Sequence, residues 1–215
     1  MTHAVLTRTA VVRRGTLLAW ATIGYNCLEA VLAIGSGLLA GSVALIGFGL
    51  DSVLEVASSL AGIARLRADA TLSRRAAVEQ RALRIIGVCF LTLAAYVLWD
   101  AVGALFRQQP PAESLLGIAI AGGSLIVMPL LARAKRRVAA QLESRALTAE
   151  AKQTELCTYL SAILLVGLGL NALLGWWWAD PVAGLAMVPI IGWEGLEAVR
   201  GRTVCADCCS PVSPA

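Results

Sequence analysis

Six stretches of the chain, at residues 17–39, 43–63, 83–106, 115–131, 156–174 and 181–199, are almost continuously apolar and are separated by short polar or turn-forming segments. A helix needs about 20 predominantly apolar residues to cross the hydrocarbon of a bilayer, and each run is of that order. The runs do not alternate apolar with polar positions, as the strands of a membrane barrel would. The first is too long for the apolar part of a cleaved signal peptide, and five more follow it. The pattern therefore predicts an all-α integral membrane protein, a bundle of six transmembrane helices. It divides the chain into an N-terminal tail at 1–15, a transmembrane domain at 16–200 and a short Cys-rich tail at 201–215. Composition agrees: 58% of residues are hydrophobic, only 15% are charged, and the mean hydropathy is +0.75. That leaves too little polar surface to coat a soluble globule, so lipid is the expected solvent.

The connections orient the bundle. Runs one and two are joined by a few uncharged residues around Gly41 and must form an antiparallel hairpin. The segment from Arg65 to Arg81 reads as helical extensions with a short turn, and residues 133–153 as a cytoplasmic extension linking runs four and five. Gln108-Gln109-Pro110-Pro111 reads as an external loop, because paired prolines end a helix. Trp176, Trp177 and Trp178 mark the outer interface, since Trp favours the headgroup zone. Of the 18 Lys and Arg residues, 17 fall in the two tails and the even-numbered connections, and Arg107 alone falls in an odd one. Basic residues are retained on the cytoplasmic side during insertion, which predicts cytoplasmic N- and C-termini and a multi-pass protein of the cell membrane. Topology accounts for the basic residues, so the net charge of +4 gives no reason to expect a nucleic-acid partner. Small residues within the runs (Gly35, Gly37, Gly41, Ser58, Ser59, Gly122, Gly123, Gly167 and Gly169) are expected to let helices approach closely.

Ionisable residues inside the apolar runs carry the functional signal. A charge at the bilayer centre costs roughly 2.5–3.5 kcal/mol even on the lenient insertion scale, yet Glu29, Asp51 and Glu55 lie in the interior of the first two runs. No Lys or Arg lies in the middle of any run, so these carboxylates are expected to have no basic partner within the membrane. They must then be protonated, hydrogen-bonded or neutralised by a bound cation. Asp51 and Glu55 are four residues apart, a spacing that turns about 40° and rises about 6 Å along a helix, so they share one face. Two carboxylates there form a hard oxygen site for a cation and also a proton acceptor, and metal loading would release protons. Protonated carboxylic acids that glue helices together are the plainer alternative.

The fifth run opens with a second such pair, Gln153 and Cys157, again four apart. A thiolate suits Zn²⁺ and softer ions, whereas an amide oxygen is a weak ligand. A lone Cys in a span is more often a small packing residue. Glu155, beside it, reads as solvated near the membrane surface.

The phrase Gly41-Ser-Val-Ala-Leu-Ile-Gly-Phe-Gly-Leu-Asp51-Ser-Val-Leu-Glu55 and the run Trp178-Ala-Asp180-Pro181 resemble the transmembrane portion of the cation diffusion facilitator family. The likeness extends from about Arg14 to Arg202. It implies a six-span metal exporter in which spans two and five each give two ligands at four-residue spacing. On that resemblance Asp51 and Glu55 fill the span-two positions, and Gln153 and Cys157 fall at the span-five positions. The departures are Glu55 where Asp is usual, and Gln153 and Cys157 where a stronger His/Asp pair is usual, which implies softer selectivity. Glu29 is placed to supply a further ligand or to relay protons. Members of the family often carry a cytoplasmic domain after the sixth span; with only a short tail here, a dimer is expected to be held by the membrane region and the loops.

That tail contains Cys205, Cys208 and Cys209. Three thiols on the reducing side are a poor fit to a structural disulfide and fall short of the four ligands of a structural zinc site. They suit labile capture of a thiophilic ion, or are incidental to a disordered tail. Cys27 and Cys89 read as packing residues, and His3 as inert in a mobile tail. Asp100 reads as wetted at the outer end of its span, and Glu194 and Glu197 as solvated at the cytoplasmic end of the sixth.

Together these features predict a divalent-cation transporter rather than an enzyme. Zn²⁺, or a softer ion such as Cd²⁺, would be its cargo and not a resident cofactor. Export would be driven by proton antiport, and the expected assembly is a homodimer in membrane lipid. The rival from another class is a non-transporting membrane metal sensor whose operative site is the Cys-rich tail. A third reading is a scaffold whose acids only pair helices.

Overall fold

The computed structural model describes residues 2–67, 72–107, 112 and 114–200. They form α1 (Thr2–Ala40), α2 (Val43–Arg67), α3 (Leu72–Arg107), α4 (Leu115–Leu142), α5 (Arg145–Leu174) and α6 (Ala179–Val199). Among the described residues there is no strand, and all six helices contain a segment long and apolar enough to cross a membrane. The chain is a multi-pass, all-α membrane protein.

The helices outrun the apolar stretches at the end of the bundle that bears the termini. α1 continues back through the segment set apart as a tail. α4 reaches Leu142 rather than stopping at residue 131, and α5 begins at Arg145 rather than near 156. The cytoplasmic extension expected at 133–153 is thus helical on both sides of a tight turn. Glu143 closes α4 in the left-handed region (φ 50°), and Ser144 caps α5 by accepting a hydrogen bond from Leu147 N at 3.3 Å. α5 in turn closes on Gly175 at φ 65°. Pro129 and Pro189 lie inside α4 and α6 without breaking them, as neighbouring helices in lipid allow.

α2 and α5 are the inner helices. Within the most apolar window of α2, 61% of residues are buried, against 28–44% in the other five helices. α1 packs on α2, α4 on α5, and α3 on α6, while α2 and α5 meet across the centre. The main core gathers Leu45, Phe48, Val97, Met128, Leu160, Leu164 and Met187 from five helices.

Only some of the small residues expected at contacts are there. A Cβ on Gly37 would sit 2.8 Å from Ile46 Cγ1, and one on Gly167 would sit 2.8 Å from Ala183 Cβ. Gly35, Gly122, Gly123 and Gly169 face open space. Tighter approaches fall at other glycines: Gly62, where a Cβ would strike the Glu150 carboxylate, Gly49, where it would meet Ile34 Cγ1 at 2.6 Å, and Gly87, where it would meet the Val199 backbone nitrogen at 2.6 Å.

The α1–α2 turn explains one conspicuous phrase in the sequence. Gly41 adopts φ 67°, a conformation that favours a residue without Cβ. Ser42 then caps α2, accepting from Leu45 N at 3.1 Å. The Ser42 hydroxyl donates to Asp180 Oδ1 at 2.5 Å, and Asp180 Oδ2 accepts from Ala44 N at 3.3 Å. A carboxylate from α6 thereby satisfies the start of α2, where amide groups are unpaired and the helix dipole favours negative charge.

Candidate metal site

On α2 the buried polar residues Asp51, Ser52, Glu55, Ser58 and Ser59 follow one another at helical spacing. On α5 the matching set is Glu150, Gln153, Thr154, Cys157 and Ser161. α1 adds Asn26 and Glu29, and α4 adds Ser124 and Lys135. The four sequence-predicted positions Asp51, Glu55, Gln153 and Cys157 are each at most 2% exposed. Side chains this polar are rarely so deeply buried without a specific role.

These residues separate into two neighbouring groups. In the first, Asp51 lies near Cys157, and Cys157 Sγ is 3.9 Å from Ser124 Oγ. Ser52 Oγ donates to Glu29 Oε2 at 2.8 Å, and Tyr25 and Ser124 lie nearby without a hydrogen bond to its Oε1. Glu29, Asp51 and Cys157, from three different helices, therefore share one neighbourhood. Gln153 stands one turn from Cys157 towards the end that bears the termini.

The second group surrounds Glu55 and overturns one expectation. Glu55 does have a basic partner: Lys135 Nζ lies 3.5 Å from Glu55 Oε1 and 3.0 Å from Glu150 Oε1. The ammonium also donates to Thr154 Oγ1 at 2.9 Å and to Ser59 Oγ at 3.4 Å. Thr154 donates to Glu55, and Ser59 donates to Glu150 at 3.0 Å. The expectation failed because it treated α4 as ending at residue 131. Along α4 the buried positions 121, 124, 128, 132, 135, 138, 139 and 142 form an unbroken stripe at three- and four-residue intervals, and Lys135 lies on it. Extending that periodicity past the apolar run would have found it. Glu150 is buried for the same reason on α5, between Leu147 and Thr154. It packs against Gly62, where any Cβ would strike its carboxylate.

Five buried oxygens around these groups accept no hydrogen bond from the described residues: Asn26 Oδ1, Glu29 Oε1, Asp51 Oδ2, Glu55 Oε2 and Gln153 Oε1. A buried acceptor without a donor costs about 1–3 kcal/mol, more if charged. Their concentration on the facing parts of α1, α2 and α5 suits a cation. Among the described residues no three His, Cys, Asp or Glu side chains already converge as a closed metal shell. The donors are brought together but not drawn around one point, and Glu55 is engaged by Lys135 instead.

Other sequence expectations sort plainly. Cys27 is exposed on α1 rather than packed; Cys89 is half-buried. Glu155 forms an ion pair with Arg136 at 2.7 Å. Glu194 lies 3.9 Å from Lys152 and Glu197 lies 3.7 Å from Arg200, all at the end bearing the termini. Asp100 accepts from Tyr96 at 3.3 Å and from Arg107 at 3.5 Å. Residues 108–111, Cys205, Cys208 and Cys209 lie outside the described residues.

Residues 78–201 match the cation efflux transmembrane domain. The chain belongs to the cation efflux family. An uncharacterized transporter of Synechocystis sp. (strain ATCC 27184 / PCC 6803 / Kazusa) is 26% identical over 185 residues, covering 83% of this chain and 60% of its own length. This cation efflux protein thus spans about three-fifths of that relative. The family match begins in α3 and takes in Lys135, Glu150, Gln153, Cys157 and Asp180. Asp51 and Glu55 precede it, so their assignment rests on the burial and contacts described above.

Proposed function

We propose that this cation efflux protein exports a divalent metal ion across the cell membrane in exchange for protons. The ion binds between α2 and α5, on Asp51, Glu55 and Cys157, with Gln153 assisting and Glu29 as a further ligand or proton relay. One observation carries the reading. Unpaired acceptor oxygens of Glu29, Asp51, Glu55 and Gln153 are buried together on three adjoining helices of a membrane protein. Helix glue would leave these lone pairs satisfied; a transport site leaves them for an ion.

The donor set has chemical consequences. Carboxylates and an amide oxygen are hard ligands, while the Cys157 thiolate favours Zn²⁺ and softer ions. Zn²⁺ is the default cargo and Cd²⁺ the main competitor. Because metal takes deprotonated ligands, protons compete for the same carboxylates, and a proton gradient can drive release. Rocking of packed helices about the inner pair would open the site to either side in turn. The termini face the cytoplasm, and two copies form a homodimer. The tail cysteines Cys205, Cys208 and Cys209 serve as a capture point on that side.

The test is uptake of Zn²⁺ and Cd²⁺ into proteoliposomes under an imposed pH gradient, comparing the intact chain, Asp51→Ala and a truncation before Cys205. Loss of gradient-driven uptake in Asp51→Ala alone supports the site. Normal uptake in that variant removes Asp51 from the path. Loss confined to the truncation would shift the operative site to the tail and favour a sensor.

A further inference from the structure

The polar group around Glu55 is already filled by a cation that belongs to the protein. Lys135 enters from α4, is itself 6% exposed, and sets its ammonium among Glu55, Ser59, Glu150 and Thr154, at 2.9–3.5 Å from an oxygen of each. Three facts set this apart from an ordinary buried ion pair. The ammonium holds two carboxylates, so the group retains an excess acidic residue. Glu55 keeps its second oxygen, Oε2, buried and unpartnered. Glu55 is also the residue through which this group adjoins Asp51, one turn away along the same face of α2.

We infer that the cage of Glu55, Ser59, Glu150 and Thr154 is a second cation station on the side of the bundle that bears the termini, and that Lys135 is a tethered ion occupying it, which an arriving metal must displace. The inference rests on Glu55 being a ligand of the transported ion. Four oxygens from two helices, two of them carboxylate, match the preference of a divalent cation, and the cage demonstrably accepts a positive charge. With the ammonium in place, Glu55 is held towards α4 and α5, and a divalent ion at Asp51 is opposed by a fixed positive charge about a turn away. With the ammonium withdrawn, Glu55 is released to Asp51 and Cys157, and the opposing charge moves away from the ion. A small cavity bounded by Gly15, Leu18, Leu66 and Val138 lies beside Lys135 and Glu150. The flexible four-carbon stem of Lys135 lets its ammonium change position relative to α4. In this scheme Lys135 is a positioning residue. It sets how tightly metal binds and keeps the acidic path neutralised between loads, which also discourages monovalent cations of lower charge.

Binding of Zn²⁺ to the detergent-purified full chain, with Cys205, Cys208 and Cys209 changed to Ser throughout so that the tail does not contribute, tests this by equilibrium dialysis, on the otherwise native protein, Lys135→Met, Lys135→Arg, the charge-balanced double variant Lys135→Met/Glu150→Gln, and Asp51→Asn. Freeing Glu55 should tighten binding about tenfold or more in Lys135→Met. Lys135→Arg keeps the positive charge and should stay near the native affinity. Should Lys135→Met fail to fold, the double variant still frees Glu55 without leaving an excess charge, and should also bind more tightly than native. Native or weaker affinity in whichever of these two variants folds overturns the tethered-ion inference, and if Asp51→Asn then still abolishes binding, the transport site itself survives. Native affinity in Asp51→Asn instead overturns the transport site, and tighter binding in Lys135→Met that persists alongside it gives the station an ion of its own.

Discussion

Asp51 and Glu55 stand one turn apart on the same helix face and are equally buried, yet their surroundings differ in kind. Glu55 is wrapped by an ammonium, a hydroxyl and a second carboxylate that shares its counter-ion. Asp51 has a thiol nearby and an oxygen that nothing meets. The difference teaches that burial alone does not mark a transport site. Glu55 by itself resembles a structural ion pair, of the sort that is costly to break but not inherently stabilising. Asp51 has no such explanation, and a cation supplies one.

The largest effect should come from the unpaired member. Asp51→Ala should cut Zn²⁺ uptake by about 100-fold or more, because it removes the carboxylate with no alternative role; a reduction under tenfold would erase the contrast with Glu55. Next, Cys157→Ser should lower the preference for Cd²⁺ over Zn²⁺ by about tenfold, read as the ratio of uptake rates, since a hydroxyl is a harder and weaker ligand than a thiolate. An unchanged ratio would take Cys157 out of the coordination shell. Glu150→Gln leaves Lys135 with Glu55 as its one carboxylate partner, which tightens that pair. Uptake at limiting metal should fall roughly three- to tenfold while saturating uptake holds; a rise would mean that Glu150, not Glu55, is the ligand in competition. The smallest effect should come from Asp180→Asn, remote from both groups at the start of α2. It should cost about 1 kcal/mol of thermal stability through the weakened cap on α2, with no change in metal preference.

How far the sequence could be read depends on which constraint governs each part. The number of helices was legible because lipid demands about 20 apolar residues per crossing, and nothing in the chain hides that. Helix ends at the side of the termini were not, because α4 and α5 continue as helix past the apolar runs, where composition no longer reports on membrane depth. Lys135 was misread for that reason alone. Outside the apolar run it counted as a surface charge, while its register on α4 put it in the interior. That Asp51 and Glu55 share one face of α2 was legible from spacing, and so was the likeness of the Gly41–Glu55 phrase, but not the hydroxyls of Ser52, Ser59, Ser124 and Thr154 that accompany them. Hydroxyls are common on transmembrane helices, and only the packing of α1, α4 and α5 around α2 selects these four. The glycines divide in the same way: Gly37 and Gly167 sit at contacts, while Gly35 and Gly169 face open space, and composition cannot tell one pair from the other.

The clasp between Ser42 and Asp180 has a consequence for how such chains diverge. One carboxylate serves both a hydroxyl and a backbone amide at the start of α2, across 138 positions of sequence. Losing the acid strands the hydroxyl and the amide together, whereas losing the hydroxyl leaves one oxygen of the acid buried without a donor. Neither change is neutral alone. Among cation efflux relatives, substitutions at these two positions should therefore be inherited as a pair, so that what reads along the chain as two distant short phrases evolves as a single unit.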